Sequence, residues 1–589
     1  MDADRNPKPE KRFSGIAVAQ GIARFPAFIQ FTQDEEIQAR DVGKEGVPGE
    51  VARFEAALIA TRVELLEIQR RIAEATGVKD ASIFDAHLLV VEDRTLIDEV
   101  LKGLEAKHSN VEHVFQQVVQ KYCSTLEGID DPYLRERVVD IQDVAHRVIR
   151  NLLGKAPQNP AAHSHPHIVV AHNLTPSDTA QLNRELVRGF VTEIGSKTSH
   201  TAIMARSLEI PAIVGMQGIC QQLQLGDDIL IDGYNGLLIL NPGPETLAEY
   251  ERLGRQKEQV NERLRLIRET ASTTLDGRHI VLSANLDLPE DLVDVASSGA
   301  EGIGLYRTEF LFLNRGEPPD EEEQFEHYRL AAERCLPHSV IIRTLDIGGD
   351  KDMPGIGLEQ EQNPFLGCRA IRFCLENPDI FKTQLRAILR AATTNNIRIM
   401  YPMISGVEEF RRANALLEES KQELAAAGIP FNPWIEVGVM IETPSAVLVS
   451  DHLARDVRFF SLGTNDLIQY SIAVDRLNER IAHLYNPTHP SILRMIKMTV
   501  DAGRARGIWT GVCGEMASDI LLTPLLIGLG VEELSATSAL VPQVKKAVQS
   551  LEASKCEELA RRALEMDDSD AILGMSAAMA RENYGELLN

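Results

Sequence analysis

The seven cysteines of this 589-residue chain are scattered, and no two of them form a C-x-x-C pair. Neither a zinc ribbon nor a disulfide framework is indicated, and such usage suits a reducing compartment. Long apolar runs are also missing: none approaches the ~20 residues that a membrane span needs. The N-terminal MDADRNPKPEKRF is polar and has no apolar core of the signal-peptide kind, so a soluble, cytoplasmic protein is expected. Positive charge is scarce, with 61 Lys and Arg against 87 Asp and Glu and a formal net charge of -26. A chain so charged repels nucleic acid and anionic membranes. A basic protein partner is favoured instead, although solubility alone also explains the excess.

What is present reads as several domains. Residues 14–31 form short strand-like runs around a glycine turn. Residues 47–155 then show apolar positions at helical spacing with no strand-like alternation, which predicts an inserted bundle of about four amphipathic helices. The prolines of KAPQNPAAHSHPH break that pattern. Strand-like runs return in IVVAHNL, GFVTEIG, AIVG, DDILIDG and NGLLIL, so the N-terminal strands and residues 168–241 are read as one interrupted α/β domain. The charged EYERLGRQKEQVNERLRLIRETAS suits a helix bridging two domains.

From there eight apolar runs recur with helical patterns between most of them: IVLSANL, GIGLYRTEF, SVIIRTLD, IRIMYPMI, EVGVMIETP, FFSLGTND, WTGVCGE and ELSATSA. Eight β/α units over roughly 310 residues are the arithmetic of a TIM barrel. Polar residues gather at the C-terminal ends of the runs: Asn285, Arg307 with Glu309, Arg343 with Asp346, Glu442, Asn465 with Asp466, Cys513 with Glu515. In such a barrel those ends converge on one mouth. Core packing explains the apolar halves of the strands but not this coincidence of terminal charges.

Arg307, Arg343 and Arg476, with Glu442 and the Asn465–Asp466 pair, make an anion site with room for a metal. The guanidinium fork binds carboxylate and phosphate bidentately, and two carboxylates plus substrate oxygens are what Mg²⁺ usually takes. A small, multiply anionic ligand is expected. Cys513 is either a small buried hydrophobe or, at such a mouth, a proton donor to a carbanion. In GSKTSHTAIMARS, a Gly-Ser-Lys turn runs through Thr198 and Ser199 toward a helix near His200. Helix N-termini welcome phosphate, and neutral imidazole is a good nucleophile toward phosphorus. The competing reading is a capping or core histidine.

Taken in order, GSKTSHTAIMARSLEIPAIVG, GIGLYRTEFLF, RTLDIGGDK, NPFLGCRAIR, GVMIETP, FFSLGTNDLIQY, AVDRLNER and GVCGEM closely resemble Enzyme I of the bacterial phosphoenolpyruvate-dependent sugar phosphotransferase system. The resemblance runs from about residue 14 to the C-terminus and includes DPYLRERVVDIQDVAHRVIRNLLG of the helical insertion. Pyruvate phosphate dikinases and phosphoenolpyruvate synthases share barrel motifs of this kind but also carry a large ATP-binding domain, for which no room is expected here.

The resemblance implies a multidomain α/β protein: a swivelling phosphohistidine α/β domain (1–42 plus 156–243), an inserted helical HPr-binding domain (43–155), a linker helix (244–274) and a C-terminal (β/α)8 TIM barrel (275–589). It implies His200 as the phosphorylated residue and Arg307 and Arg343 as phosphoenolpyruvate-binding arginines. Asn465 and Arg476 would be further substrate contacts, Glu442 and Asp466 the Mg²⁺ ligands, and Cys513 the proton donor. HPr, a small histidine phosphocarrier protein, would be the acceptor, and the barrel domain would form a homodimer. Two positions depart from the pattern: Ser196 stands where a second glycine is common, and Cys368 replaces a frequent tryptophan, which raises a second reactive thiol near the mouth. The implied activity is a phosphoenolpyruvate-protein phosphotransfer with pyruvate as product. A barrel enzyme acting on phosphoenolpyruvate or pyruvate with a regulatory N-terminal half is the alternative, and a non-catalytic scaffold has no need of a metal and a proton donor.

Overall fold

The computed structural model describes residues 9–30, 37–75, 83–127, 132–154, 165–172, 174, 186–195, 210–287, 291–312, 317–348, 361, 363–476, 478 and 480–588. Two compact units divide the chain, Met1–Arg255 and Gln256–Asn589.

In the first unit, β1 (Lys11–Ser14) and β2 (Ile16–Ala19) are separated by Gly15 alone. Yet β1 pairs with β8 (Leu237–Leu240) and β2 with β6 (Ala212–Val214), at opposite edges of one eight-stranded sheet. A single residue spans only ~3.6 Å, so the sheet must curl until its edges meet. Gly15 is where they meet: its N–H donates to the Gly236 carbonyl at 2.8 Å, and a Cβ there would stand 2.7 Å from Ile213 Cγ2. The remaining strands are β3 (Ile22–Gln30), β4 (His167–Ala171), β5 (Val187–Thr192) and β7 (Asp228–Asp232), in the order β1-β8-β7-β3-β4-β5-β6-β2. Along β4, Ile168 and Val170 enter one core while Val169 and Ala171 enter another, the two-residue alternation of a strand buried on both faces.

Between β3 and β4 lies the helical insertion: α1 (Gly43–Ala75), α2 (Ile83–Val91), α3 (Arg94–Lys107), α4 (Val111–Glu127) and α5 (Pro132–Leu152). The sequence pattern predicts about four helices, and five are present among the described residues. The run IFDAHLLVVEDRTLIDEVLKGL is cut at Asp93, whose carboxylate accepts from the N–H groups of Thr95 (2.7 Å) and Leu96 (3.2 Å) and so caps α3. Phe54, Leu65, Val100, Leu104, Phe115 and Val148 form the bundle core. The helix that follows β8, α6 (Pro244–Leu266), opens on a proline and ends eight residues short of the predicted linker boundary at 274. Leu247, Tyr250 and Leu253 of its first half pack on Leu230 and Ile239.

The second unit is a closed barrel of eight parallel strands: β9 (Val281–Leu286), β10 (Gly302–Tyr306), β11 (Ser339–Arg343), β12 (Ile397–Tyr401), β13 (Glu436–Ile441), β14 (Phe459–Leu462), β15 (Trp509–Val512) and β16 (Glu533–Thr537), with β16 pairing back onto β9. These are the eight apolar runs of the sequence. In the connecting helix Pro490–Arg506, Ile492, Leu493, Ile496 and Val500 form a buried stripe, and Gly507 (φ 69°) ends the helix in the left-handed region. Leu305, Ile341, Met400, Met440, Phe459 and Cys513 fill the barrel interior, which is a packed core and not a pore. Among the described residues no helix is long and apolar enough to cross a membrane.

Candidate active site at the barrel mouth

A cavity of about 450 Å³ opens where the barrel strands end. Arg307 follows β10, Arg343 ends β11, Glu442 follows β13, Asn465 and Asp466 follow β14, and Cys513 follows β15. All of these residues, with Arg476, line that one cavity. His200 lies outside the described residues, as do Ser196, Lys197, Thr198 and Ser199.

The charges are tightly arranged. Arg343 is 5% exposed; it pairs with Glu309 and, at 3.2 Å, with Asp346. Arg307 is half-buried and pairs with Asp287 at 2.8 Å. Asn465 and Glu515 exchange hydrogen bonds: the Asn465 amide donates to the Glu515 carboxylate (3.1 Å), and the Glu515 N–H donates to Asn465 Oδ1 (2.9 Å). This exchange fixes the segment that carries Asp466. Gly514 lets the two loops approach, because a Cβ there would lie 2.0 Å from Thr464 Oγ1.

Arg369, which strand-end reasoning passes over, holds the arrangement together. Its guanidinium donates to both oxygens of Asp346 (2.9 and 3.1 Å), to both of Asp466 (3.2 and 3.3 Å) and to the Tyr470 hydroxyl (3.2 Å), at 4% exposure. It sits in NPFLGCRAIR, in a connection between strands. The signal there is backbone strain: Ala370, next to it, is fully buried with φ 55°, a conformation that an alanine adopts only where surrounding structure enforces it. Met403 (φ 54°) is the second such residue at the site, and its N–H donates to Glu442 Oε1 at 2.6 Å.

Glu442 is 1% exposed, and its Oε2 has no hydrogen-bond partner among the described residues. Burial, and after it the charges of Asp466 and Asp346, push its carboxyl far above the usual carboxylate range. That orphaned oxygen faces Gly463, where a Cβ would come within 2.7 Å of it. Six carboxyl side chains line the cavity against four arginines. No group of three or more His, Cys, Asp or Glu among the described residues has metal-holding geometry. A buried carboxylate with a free oxygen, a second carboxylate beside it and a deficit of positive charge nevertheless fit a divalent cation that takes its other ligands from substrate and water.

Cys513 is 3% exposed, with its Sγ 3.6 Å from the Leu462 carbonyl, and burial pushes its thiol up to about 11. At neutral pH it is a protonated donor and not a nucleophile. Two sequence expectations do not meet the cavity. The Asn285 side chain ties strands together, donating to the Cys513 carbonyl (3.3 Å) and accepting from Ser535 Oγ (2.7 Å). Cys368 does not line the cavity; burial, then Glu376 at 3.3 Å, raises its thiol to about 11, which leaves it protonated rather than reactive.

The arrangement is a charged cavity at the mouth of an eight-stranded barrel, and the family models define the class. Residues 14–137 match the model "PEP-utilising enzyme, N-terminal", residues 163–236 "PEP-utilising enzyme, mobile domain", and residues 261–553 "PEP-utilising enzyme, PEP-binding domain". Among curated proteins, the phosphoenolpyruvate-protein phosphotransferase of Staphylococcus carnosus is 43% identical over 565 residues, covering 96% of this chain and 98% of that protein. Those of Bacillus sp. (strain S) and Geobacillus stearothermophilus are each 46% identical, over 553 and 554 residues, covering 93% of this chain and 95% of theirs. The chain belongs to the phosphoenolpyruvate-protein phosphotransferase family.

Proposed function

We propose that this chain transfers the phosphoryl group of phosphoenolpyruvate to its own His200, releases pyruvate, and passes the group to a histidine of the carrier HPr, the first step of a sugar phosphotransferase system. The observation that carries this reading is the mouth cavity itself: arginines for a polyanion, two adjacent carboxylates for a cation, and a protonated thiol in one 450 Å³ space.

In this reading Arg307, Arg343 and Arg476 grip the carboxylate and phosphate of the substrate, and Asn465 orients it. Glu442 and Asp466 would hold Mg²⁺, which spreads the charge of the moving phosphoryl group when bound. The neutral imidazole of His200 attacks phosphorus in line while the bond to the enolate oxygen breaks. Cys513 then gives its proton to the methylene carbon, converting the enolate to pyruvate, and the thiolate is reprotonated from solvent. The buried setting that keeps Cys513 protonated makes it a usable acid at neutral pH.

The domain plan belongs to the proposal: a phosphohistidine domain (1–42 plus 156–243) that swings between a barrel (275–589) and a carrier docked on the helical insertion (43–155), by way of the linker (244–274). Ile59, Val63 and Leu66 on α1 are exposed at helical spacing, an apolar stripe suited to a protein partner. The formal charge of -26 favours a basic one. A cytoplasmic setting and a homodimer through the barrel complete the reading. Incubation with ³²P-labelled phosphoenolpyruvate, followed by peptide mapping, tests it: acid-labile label on His200, chased onto HPr, is the expected result. Label on another residue removes His200 from the mechanism.

A further inference from the structure

Asn285 stands near the C-terminal end of β9, level with Leu305 on β10 and Thr537 on β16, yet it does not line the mouth cavity. Its amide turns to the residue that carries the thiol. Nδ2 donates to the Cys513 carbonyl at 3.3 Å, and Oδ1 accepts from Ser535 Oγ at 2.7 Å. A carbonyl only accepts, so the Nδ2 end must be the one that faces Cys513. In the strand order β15-β16-β9 the amide therefore reaches across β16, past Ser535, to the residue that follows β15. Ser535 is buried, and Gly304 on β10 leaves room for its hydroxyl: a Cβ there would stand 2.6 Å from Ser535 Oγ.

The other restraints on Cys513 act elsewhere on the residue. Its N–H donates to the Leu462 carbonyl at 3.1 Å. The same carbonyl and the Ser461 hydroxyl act on the sulfur. β14 ends at Leu462, and among the described residues the Cys513 carbonyl has no hydrogen-bond partner but Asn285. The next residue must be Gly514, because a Cβ there would stand 2.0 Å from Thr464 Oγ1. Glycine leaves the chain its widest conformational freedom, so sterics alone do not fix the peptide from which the thiol projects. Hydrogen bonds do. Asn285 holds the carbonyl before Gly514, and Asn465 Oδ1 accepts from the Glu515 N–H after it at 2.9 Å. The Gly514 carbonyl accepts from the Ala517 N–H at 3.0 Å, a bond within the same turn. Only Asn285 restrains the side of the glycine that carries the thiol's own carbonyl.

An enolate carbon is planar and has two faces, and the direction of the S–H bond decides which face receives the proton. We infer that Asn285, oriented by Ser535, is a positioning residue for proton transfer: it fixes the Cys513–Gly514 peptide and so selects the face of the enolate to which the thiol delivers. It acts through Cys513 and not on the substrate. The inference rests on the reading of Cys513 as the proton donor.

The test uses the full chain with Mg²⁺ and HPr. Phosphoenolpyruvate tritiated stereospecifically at its methylene carbon is turned over in deuterium oxide, and the pyruvate is reduced at once to lactate. The thiol then carries deuterium; its S–D bond breaks as the C–D bond forms. The methyl group holds one hydrogen, one deuterium and one tritium, and its handedness is read. The unaltered protein should give one configuration, and Cys513→Ala a racemic methyl group. Asn285→Ala should lose at least about half of the stereochemical excess and form pyruvate about tenfold more slowly, with KM for phosphoenolpyruvate changed by less than about twofold. Ser535→Ala, which removes one oxygen, should move both readouts the same way by less. The double variant should do no worse than Asn285→Ala, because both side chains act through one contact. A merely structural role would lower the urea midpoint and leave the configuration intact. Retained configuration in Asn285→Ala, beside its loss in Cys513→Ala, overturns the inference and leaves Cys513 as the donor. Retained configuration in Cys513→Ala overturns the proton-donor reading and the inference with it. Where Asn285→Ala does not fold, Ser535→Ala decides alone, and an unchanged methyl configuration in it overturns the inference.

Discussion

Replacing Arg369 by methionine should destabilise the barrel and, at the same time, make it depend on a divalent cation. Arg369 is 4% exposed and is the sole ion-pair partner of Asp466 among the described residues; Asp346, in contrast, keeps Arg343 at 3.2 Å. Removing one member of a buried pair costs ~3–5 kcal/mol, and the retained Asp346 contact places the expected loss near the lower end, about 3 kcal/mol. Both tryptophans lie in the second unit, so the fluorescence transition in urea follows the barrel alone. With an m value of about 3 kcal/mol/M, the midpoint should fall by about 1 M. The mutant also leaves Asp346, Glu442 and Asp466 with less counter-charge, so added Mg²⁺ should raise its midpoint more than it raises that of the parent. A loss under about 1 kcal/mol, or an equal response to Mg²⁺, would refute the argument that Arg369 neutralises a cation site.

Cys513→Ala should slow pyruvate formation by ~10²–10⁴-fold while sparing phosphoryl exchange between HPr and His200, and the methyl group formed from stereospecifically labelled phosphoenolpyruvate should become racemic; full activity with retained stereochemistry would remove the thiol from the mechanism. Because burial raises that thiol to about 11, its thiolate is scarce at pH 8, and alkylation of Cys513 by iodoacetamide should be slow there and quicken as the pH climbs toward 11. Glu442→Gln or Asp466→Asn should weaken Mg²⁺ binding and phosphoenolpyruvate-dependent labelling together but leave exchange with phospho-HPr intact; equal loss of both half-reactions contradicts the metal placement. Lys545→Met should cost about 1–3 kcal/mol in the barrel's urea transition, since the buried Lys545 ammonium donates to the carbonyls of Arg268 and, at 2.7 Å, Gly299.

The barrel was readable because six of the eight strand runs carry polar groups at their C-terminal ends, and closure of the sheet turns that one-dimensional regularity into a ring: Arg307, Arg343, Glu442, Asp466 and Cys513 reach one cavity for that reason. Arg369 escaped because it belongs to a connection, not a strand end, and its importance lies in pairs 23 and 97 residues away in sequence. The helix break at Asp93 was hidden by an apolar rhythm that continues across it; only the carboxylate cap separates α2 from α3. The curl of the first sheet is likewise a property of pairing, since nothing in SGIAVAQGIARF states that two neighbouring strands lie at opposite edges. The unpaired Glu442 oxygen is visible only in three dimensions, because it depends on what fails to approach it.

The central claim is phosphoryl transfer from phosphoenolpyruvate to His200, and single-turnover labelling tests it most directly. Enzyme, Mg²⁺ and ³²P-labelled phosphoenolpyruvate are mixed without carrier, pyruvate is counted, and labelled peptides are mapped. One acid-labile phosphoryl group on His200 for each pyruvate released is the predicted result, with none in His200→Ala although that variant still binds phosphoenolpyruvate. Pyruvate released without protein-bound phosphate, or stable label on another residue, would contradict the account.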